Sequence, residues 1–301
     1  MKHLFTFLAT LLFTVSFAQQ KLIAIKGTTT DAIATTLEEA INITQPNDKI
    51  YLPGGNYTLN DSLQKPLHII GTGYNHLIPR ATPITVFTSE LKIGSQASGA
   101  VIEGVKLADA FYCSSDNITF KKVFSENTIG SAYPFHDYVL KNNIKNLRIT
   151  NSIINHRLEL FNGVYEIANF AFENSIIALI VTISHSSFKN CYVKSIAYSY
   201  YSLIINSIYD GYGFDNSNIT NSFVLTNNGQ FAMYDNNIGN LNNDYHLSPT
   251  APIQNIGIYY GDYPWKDGGQ PINPHILENN SFLDVQNEQF KLKVKVVPQT
   301  N

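Results

Sequence analysis

Between residues 149 and 224 one six-residue unit recurs five times: ITNSII (149–154), FENSII (172–177), FKNCYV (188–193), IINSIY (204–209) and ITNSFV (219–224). Its form is apolar-x-Asn-(Ser/Cys)-x-apolar, with Ile205 standing where the other copies carry a polar residue. The asparagines Asn151, Asn174, Asn190, Asn206 and Asn221 are spaced by 23, 16, 16 and 15 residues. Looser copies, IEGVKL from Ile102 and FKKVF from Phe120, carry the pattern upstream. A period near 20 residues with one short β unit per repeat predicts a solenoid, here a parallel β-helix. The apolar residue two before each Asn then points inward. Asn takes a tight left-handed corner that most side chains resist. The Ser or Cys after it turns inward where only a small group fits, and Ile154, Ile177, Val193, Tyr209 and Val224 fill the core again. Stacking predicts a ladder of Asn amides in register, each donating to its neighbour's carbonyl.

The remainder of the chain is consistent with that unit. Charged residues are 14% of the 301, against roughly 25% in an average soluble chain. With 20 basic and 23 acidic residues and a net charge of −3, the chain lacks the electrostatic footprint of a nucleic-acid binder. A hydrophobic content of 44% with so small a net charge excludes disorder. Asn, about a tenth of the chain, replaces charge as the wetting residue. Lys2 and His3 precede the apolar run LFTFLATLLFTVSF, which ends in Ser16-Phe17-Ala18. That is the pattern of a secretory signal peptide over residues 1–18, cut before Gln19. The run is short of the ~20 residues a membrane span needs, so no span is expected. Residues 19–301 are expected to form one domain, exported and monomeric. The two cysteines, Cys113 and Cys191, read as small buried residues more readily than as a bridge.

Both ends carry capping signals. Thr36-Leu37-Glu38-Glu39 reads as a capping box opening a short helix, with Leu37, Ala40 and Ile41 on one face. At the other end FKLKVKV alternates Phe290, Leu292, Val294 and Val296 with Lys291, Lys293 and Lys295, predicting a closing strand near 289–297. At 20–25 residues per coil the domain accommodates about 9 to 11 coils.

The run NDKIYLPGGNYTL after the helix, the strand KPLHIIGTGYN, the turn GAVIEGVKL, the NS/NC coils and the run YHLSPTAPIQNIGIYYGDYPWKDGGQPINPHI together resemble a known family. The chain resembles the secreted right-handed parallel β-helix proteins of the pectin-lyase-like superfamily, and more closely the exported members common in Bacteroidetes-type bacteria. The resemblance implies an all-β, right-handed parallel β-helix with a short N-terminal capping helix. It implies little about activity, because that superfamily includes lyases, hydrolases, adhesins and phage spikes.

No HExxH, CxxC, GxSxG, P-loop or GxGxxG occurs, and the eight histidines have no metal spacing. Hydrolases of the polygalacturonase kind carry Asn-Thr-Asp, Asp-Asp and His-Gly, and the first two are absent here. A lyase needs a base to remove the proton α to a uronate carboxylate, and a cation, often Ca²⁺ on Asp or Glu oxygens, to hold the enolate. The candidates for that chemistry are His136, His156, Arg157 and His185, with Glu159 and Asp137 beside them. A second candidate is aromatic: Tyr198, Tyr200, Tyr209 and Tyr212 on adjacent coils would form a stacking platform for sugar rings. The expectation is a secreted or cell-surface protein in adhesion or glycan contact, without catalysis and without cofactor or metal. Ca²⁺ enters only in the alternative, a polysaccharide lyase acting on an acidic glycan.

Overall fold

The structure, a computed structural model, describes residues 22–77, 83–109, 111–126, 144–159, 169–210, 213–226, 228–235, 237–266, 269–271, 275–279, 282–284, 289–291 and 293–297. Residues 1–18, His136 and Tyr212 lie outside the described residues, as do the side chains of His156, Arg157, Glu159 and Tyr198.

The chain runs alternately through two eleven-stranded sheets. In the first, sheet A, nine strands follow one another in parallel from Lys49–Tyr51 to Asn218–Thr220. Ile23–Lys26 and Ala32–Ala34 add to its N-terminal edge antiparallel. In the second, sheet B, the strands from Gly55–Tyr57 to Phe223–Val224 are parallel throughout. Ile176–Ser184 is long enough to pair Tyr192–Val193 along its first part and Ile196–Tyr200 along its second. Nearer the N-terminus Leu91–Ile93 pairs in parallel with Phe111–Cys113. An all-β chain that passes repeatedly between two large parallel sheets is compatible with a parallel β-helix.

Strand period two sends the middle residue of the first eight of these nine sheet A strands inward, while Ile219 of the last is exposed. Ile50, Ile69, Ile102, Phe120, Ile149, Phe172, Phe188 and Ile204 stack in register in one core, none more than 1% exposed. Phe172 and Phe188 stack face to face with centroids 4.7 Å apart. The helix Leu37–Ile43 adds Leu37 and Ala40 to this core. Its Thr36 hydroxyl accepts from the Glu39 amide as predicted. The Glu39 carboxylate reaches back as well, accepting from the Thr35 amide and hydroxyl.

The asparagine corners have the predicted conformation: Asn151, Asn174, Asn190, Asn206 and Asn221 have φ between 46° and 55°. The same backbone recurs at a second corner before the last six sheet A strands, held by Asn117, Asn146, Asn169, His185, Tyr201 and Asn216. The hydrogen-bonded ladder, however, runs mainly through serine. The amides of Val123, Ser152, Cys191 and Ser207 donate to Ser152, Ser175, Ser207 and Ser222 Oγ at 2.9–3.2 Å. Each hydroxyl then donates to the carbonyl two residues back. A parallel ladder of Ser186, Ser202 and Ser217 lines the second corner. Inside a low-dielectric core such doubly satisfied hydroxyls specify register and turn. Cys191 occupies a serine rung, its thiol directed at the Lys189 carbonyl. Both cysteines are free and buried, and burial raises their thiol pKa values, to about 11 for Cys113 and about 12 for Cys191.

Sheet B buries its outer face as well. Phe124, Ile153, Ile176, Tyr192, Ile208 and Phe223 point away from the first core, yet none is more than 7% exposed. They form a second core with Phe231, Ile238, Tyr245, Ile256, Ile258 and Trp265 from the chain that follows the last repeat. After Asn255 this chain turns back along the asparagine corners as a strap. Gly257 N–H donates to Asn206 O, Asn174 Nδ2 to Ile258 O and Tyr260 O, and Asn151 Nδ2 to Tyr263 O and Pro264 O. Lys122 Nζ donates to Gln270 O at 2.6 Å. Gly104, at φ 66°, leaves the space that Pro271 fills. At Asn151 and Asn174 the predicted asparagine ladder is replaced, because their side-chain amides donate to strap carbonyls. Amide-to-amide rungs survive outside the strap, Asn221 to Asn206 at 2.7 Å and Asn146 to Asn117 at 2.9 Å.

The run 289–297 is two strands, Gln289–Lys291 and Val294–Val297. Each pairs antiparallel, with Phe282–Asp284 and His275–Asn279 respectively.

Candidate functional site

The outer face of sheet A is the long face left open by this packing, and it carries charge in a pattern that the strands set. Register brings Glu103, Lys121, Thr150, Glu173 and Lys189 into one row, at about 4.8 Å per strand. Glu103 meets His68 at 3.1 Å and Lys121 at 3.3 Å. Burial would raise the Glu103 pKa, but His68 and Lys121 outweigh it and hold the carboxyl below its ordinary range. Glu173 meets Arg148 at 3.1 Å and Lys189 at 3.8 Å, and Lys189 reaches Asp262 of the strap at 3.5 Å.

Where the strap passes this face it raises a wall, and a cleft of about 460 Å³ opens between the two. Its floor is Thr119, Lys121, Arg148, Thr150 and Glu173, and its wall is Asp262, Tyr263 and Lys266. Tyr263 is 64% exposed. Lys122 closes the inner corner. Its ammonium is pushed down to about 8, first by burial and further by Lys121 and Lys266, with Glu103 opposing. An exposed tyrosine beside aliphatic lysine stems, with guanidinium and ammonium groups at their tips, presents both an apolar plane and hydrogen-bond donors. That is the chemistry that holds a hydroxylated ring.

Of the predicted lyase residues, His136 lies outside the described residues. His156 and Arg157 lie on Ile153–Glu159, where Arg157 pairs with Leu179. His185 lies six residues beyond Leu179, about 20 Å of extended chain away, at an exposed corner. Among the described residues no three His, Cys, Asp or Glu side chains are grouped to hold a metal ion. The predicted tyrosine platform is divided. Tyr200 is partly exposed at the end of Ile196–Tyr200. Tyr209 packs against the core and meets Phe214 edge-on at 5.2 Å, and burial raises its hydroxyl pKa.

Sequence reading passed over Tyr263, Lys121 and Lys266 because the strap that gathers them comes from 73 or more residues beyond the sheet A strands it faces. One signal pointed there: the x before the last apolar position is Ile153, Ile176, Tyr192, Ile208 and Phe223, apolar in all five copies. A strand apolar on both faces is buried on both faces. No protein-family model, no curated protein and no solved structure matches the chain.

Proposed function

We propose that this is an exported right-handed parallel β-helix of the pectin-lyase-like type, its N-terminal opening covered by the helix Leu37–Ile43, that contacts a polysaccharide or cell-surface glycan without turning it over. The observation that carries the reading is the cleft between sheet A and the strap, lined by the exposed Tyr263 together with Lys121 and Arg148. Its groups suit binding better than β-elimination. Lys122, the residue whose lowered pKa suits a base, is 6% exposed and directs its amine at the Gln270 carbonyl. Glu173 is engaged by Arg148 and Lys189, and Asp262 by Lys189. Tyr200, on the strand Ile196–Tyr200, supplies a further aromatic contact.

The test uses residues 19–301, incubated with uronate polysaccharides and Ca²⁺ and applied in parallel to a glycan array. Retention on the array without unsaturated product is expected, as is loss of retention on its acidic glycans in the Tyr263→Ala, Arg148→Ala double variant. Unsaturated product would replace this reading with the lyase alternative.

A further inference from the structure

At the second corner of the repeat the left-handed position is held by Asn117, Asn146, Asn169 and Asn216 in four circuits, and by His185 and Tyr201 in the two that lie between Asn169 and Asn216. Their φ values, 51° and 50°, match those of the asparagines. Asn tolerates that backbone because its short amide bonds locally, and His is met there too, but a bulky Tyr is strained. Strain at Tyr201, beside a second ring at the same corner of the adjacent circuit, marks a position retained for what its side chains do. The rings stack on each other, centroids 5.3 Å apart and planes 28° from parallel. They face outward: Tyr201 is 53% exposed, His185 is exposed, and Leu203 beside them is 38% exposed. Asn169 and Asn216, both exposed, flank the pair along the same corner. One strand interval separates each residue from the next, so the strip Asn169–His185–Tyr201–Asn216 extends about 14 Å along the stack.

We infer that the His185–Tyr201 stack is a second glycan subsite, taking the apolar face of a neutral pyranose while the Asn169 and Asn216 amides hold hydroxyls of the adjoining rings. This rests on the glycan-contact reading and extends it from the cleft to the opposite edge of sheet A. A stacked pair with no carboxylate or guanidinium in the strip suits an uncharged sugar, whereas the cleft presents cations. The strip is linear, parallel to the stacking direction, and matches an extended oligosaccharide in a way a single aromatic residue would not.

The strain makes the proposal testable in both directions. Replacing both residues by the asparagine their neighbours use, His185→Asn with Tyr201→Asn, removes the left-handed penalty and the platform together. The double variant is expected to melt about 2 °C or more above the parent. It is also expected to bind cellohexaose or xylohexaose at least tenfold more weakly by calorimetry, while the Tyr263→Ala, Arg148→Ala protein keeps at least part of that binding. In the parent, the His185 ring protons shift on titration with the same hexasaccharides. A lower melting temperature in the double variant would overturn the inference, showing that the pair is retained for packing. Unchanged hexasaccharide binding would overturn it while leaving glycan contact at the cleft intact. A parent protein that binds no glycan of any kind would overturn both.

Discussion

Asn174 and Asn190 stand at the same corner in successive repeats, share the same left-handed backbone and are both fully buried, yet they should respond oppositely to the same substitution. Glycine accepts their φ of 46° and 55° without strain, so Asn→Gly removes the side chain alone. In Asn174 the amide donates to Ile258 O at 2.8 Å and Tyr260 O at 2.6 Å, fastening the strap. Each such bond is worth about 1 kcal/mol net, and Tyr260 O is left with a desolvated lone pair when its donor goes. Added backbone entropy in the unfolded chain contributes a further ~0.5–1 kcal/mol. Ile258 O keeps its bond from the Trp265 amide, which limits the loss. Asn174→Gly is therefore expected to cost about 2–3 kcal/mol. In Asn190 neither amide atom has a hydrogen-bond partner among the described residues, and the strap passes so close that a Cβ on Gly261 would sit 2.1 Å from Nδ2. Removing an unsatisfied buried amide offsets the glycine entropy, so Asn190→Gly should fall within about 0.5 kcal/mol of the parent or be more stable. Trp265 is the only tryptophan and lies in the strap at 7% exposure, so its emission reports strap docking while far-UV circular dichroism reports the sheets. Urea titrations should show the Trp265 transition of Asn174→Gly moving ahead of the sheet signal, and that of Asn190→Gly coinciding with it. Equal destabilisation of the two variants would refute the assignment of the strap's hold to particular corner amides.

Three further outcomes follow from the same geometry. Ser175→Ala leaves the buried Ser152 amide without its acceptor and should cost about 1–3 kcal/mol in urea, whereas Ser175→Cys should stay close to the parent because Cys191 fills a rung of the same ladder. Ile176→Ala should cost about 2–4 kcal/mol although the residue points out of sheet B, while Leu203→Ala on the open face of sheet A should cost under about 1 kcal/mol; comparable values would mean that the strap does not cover sheet B. Lys122 in the folded protein titrates near 8 against about 10.4 when unfolded, so between those values the unfolded chain binds the extra proton and stability rises with pH. Cys113 and Cys191, raised by burial above their unfolded value near 8.5, act in the opposite sense over the same range, so the Lys122 contribution is read as a difference: from pH 8 to about pH 9.5 the urea midpoint of Lys122→Met should fall relative to that of the parent.

The two corners of the repeat were legible in different degrees. Asn-Ser and Asn-Cys marked the first corner, and the φ values and the in-register inward row agree with it. The second was equally present, with Ser186, Ser202 and Ser217 each four residues before Asn190, Asn206 and Asn221, but His185 and Tyr201 replace Asn there and hid the pattern. The candidate residues for chemistry were drawn from neighbours in sequence, such as His156 with Arg157. A cleft gathers residues by strand register and by the return of a distant strap.

The sequence by itself determined the repeating unit: where the chain turns, which residue of each triplet faces inward, and why Asn and a small hydroxyl alternate at the corners. These are local matters, decided within a few residues by left-handed backbone tolerance and by the period of two along a strand. Only the tertiary structure decided which outer face is covered and which meets solvent. Phe231, Ile238, Tyr245, Ile256, Ile258 and Trp265 lie on sheet B because its outer row is as apolar as its inner one, and most of sheet A, with its alternating charges, stays open. That choice rests on contacts spanning up to about 150 residues, such as Lys122 to Gln270, for which no local pattern exists. It is also the choice that removed the middle asparagines from the surface and put Tyr263 there in their place.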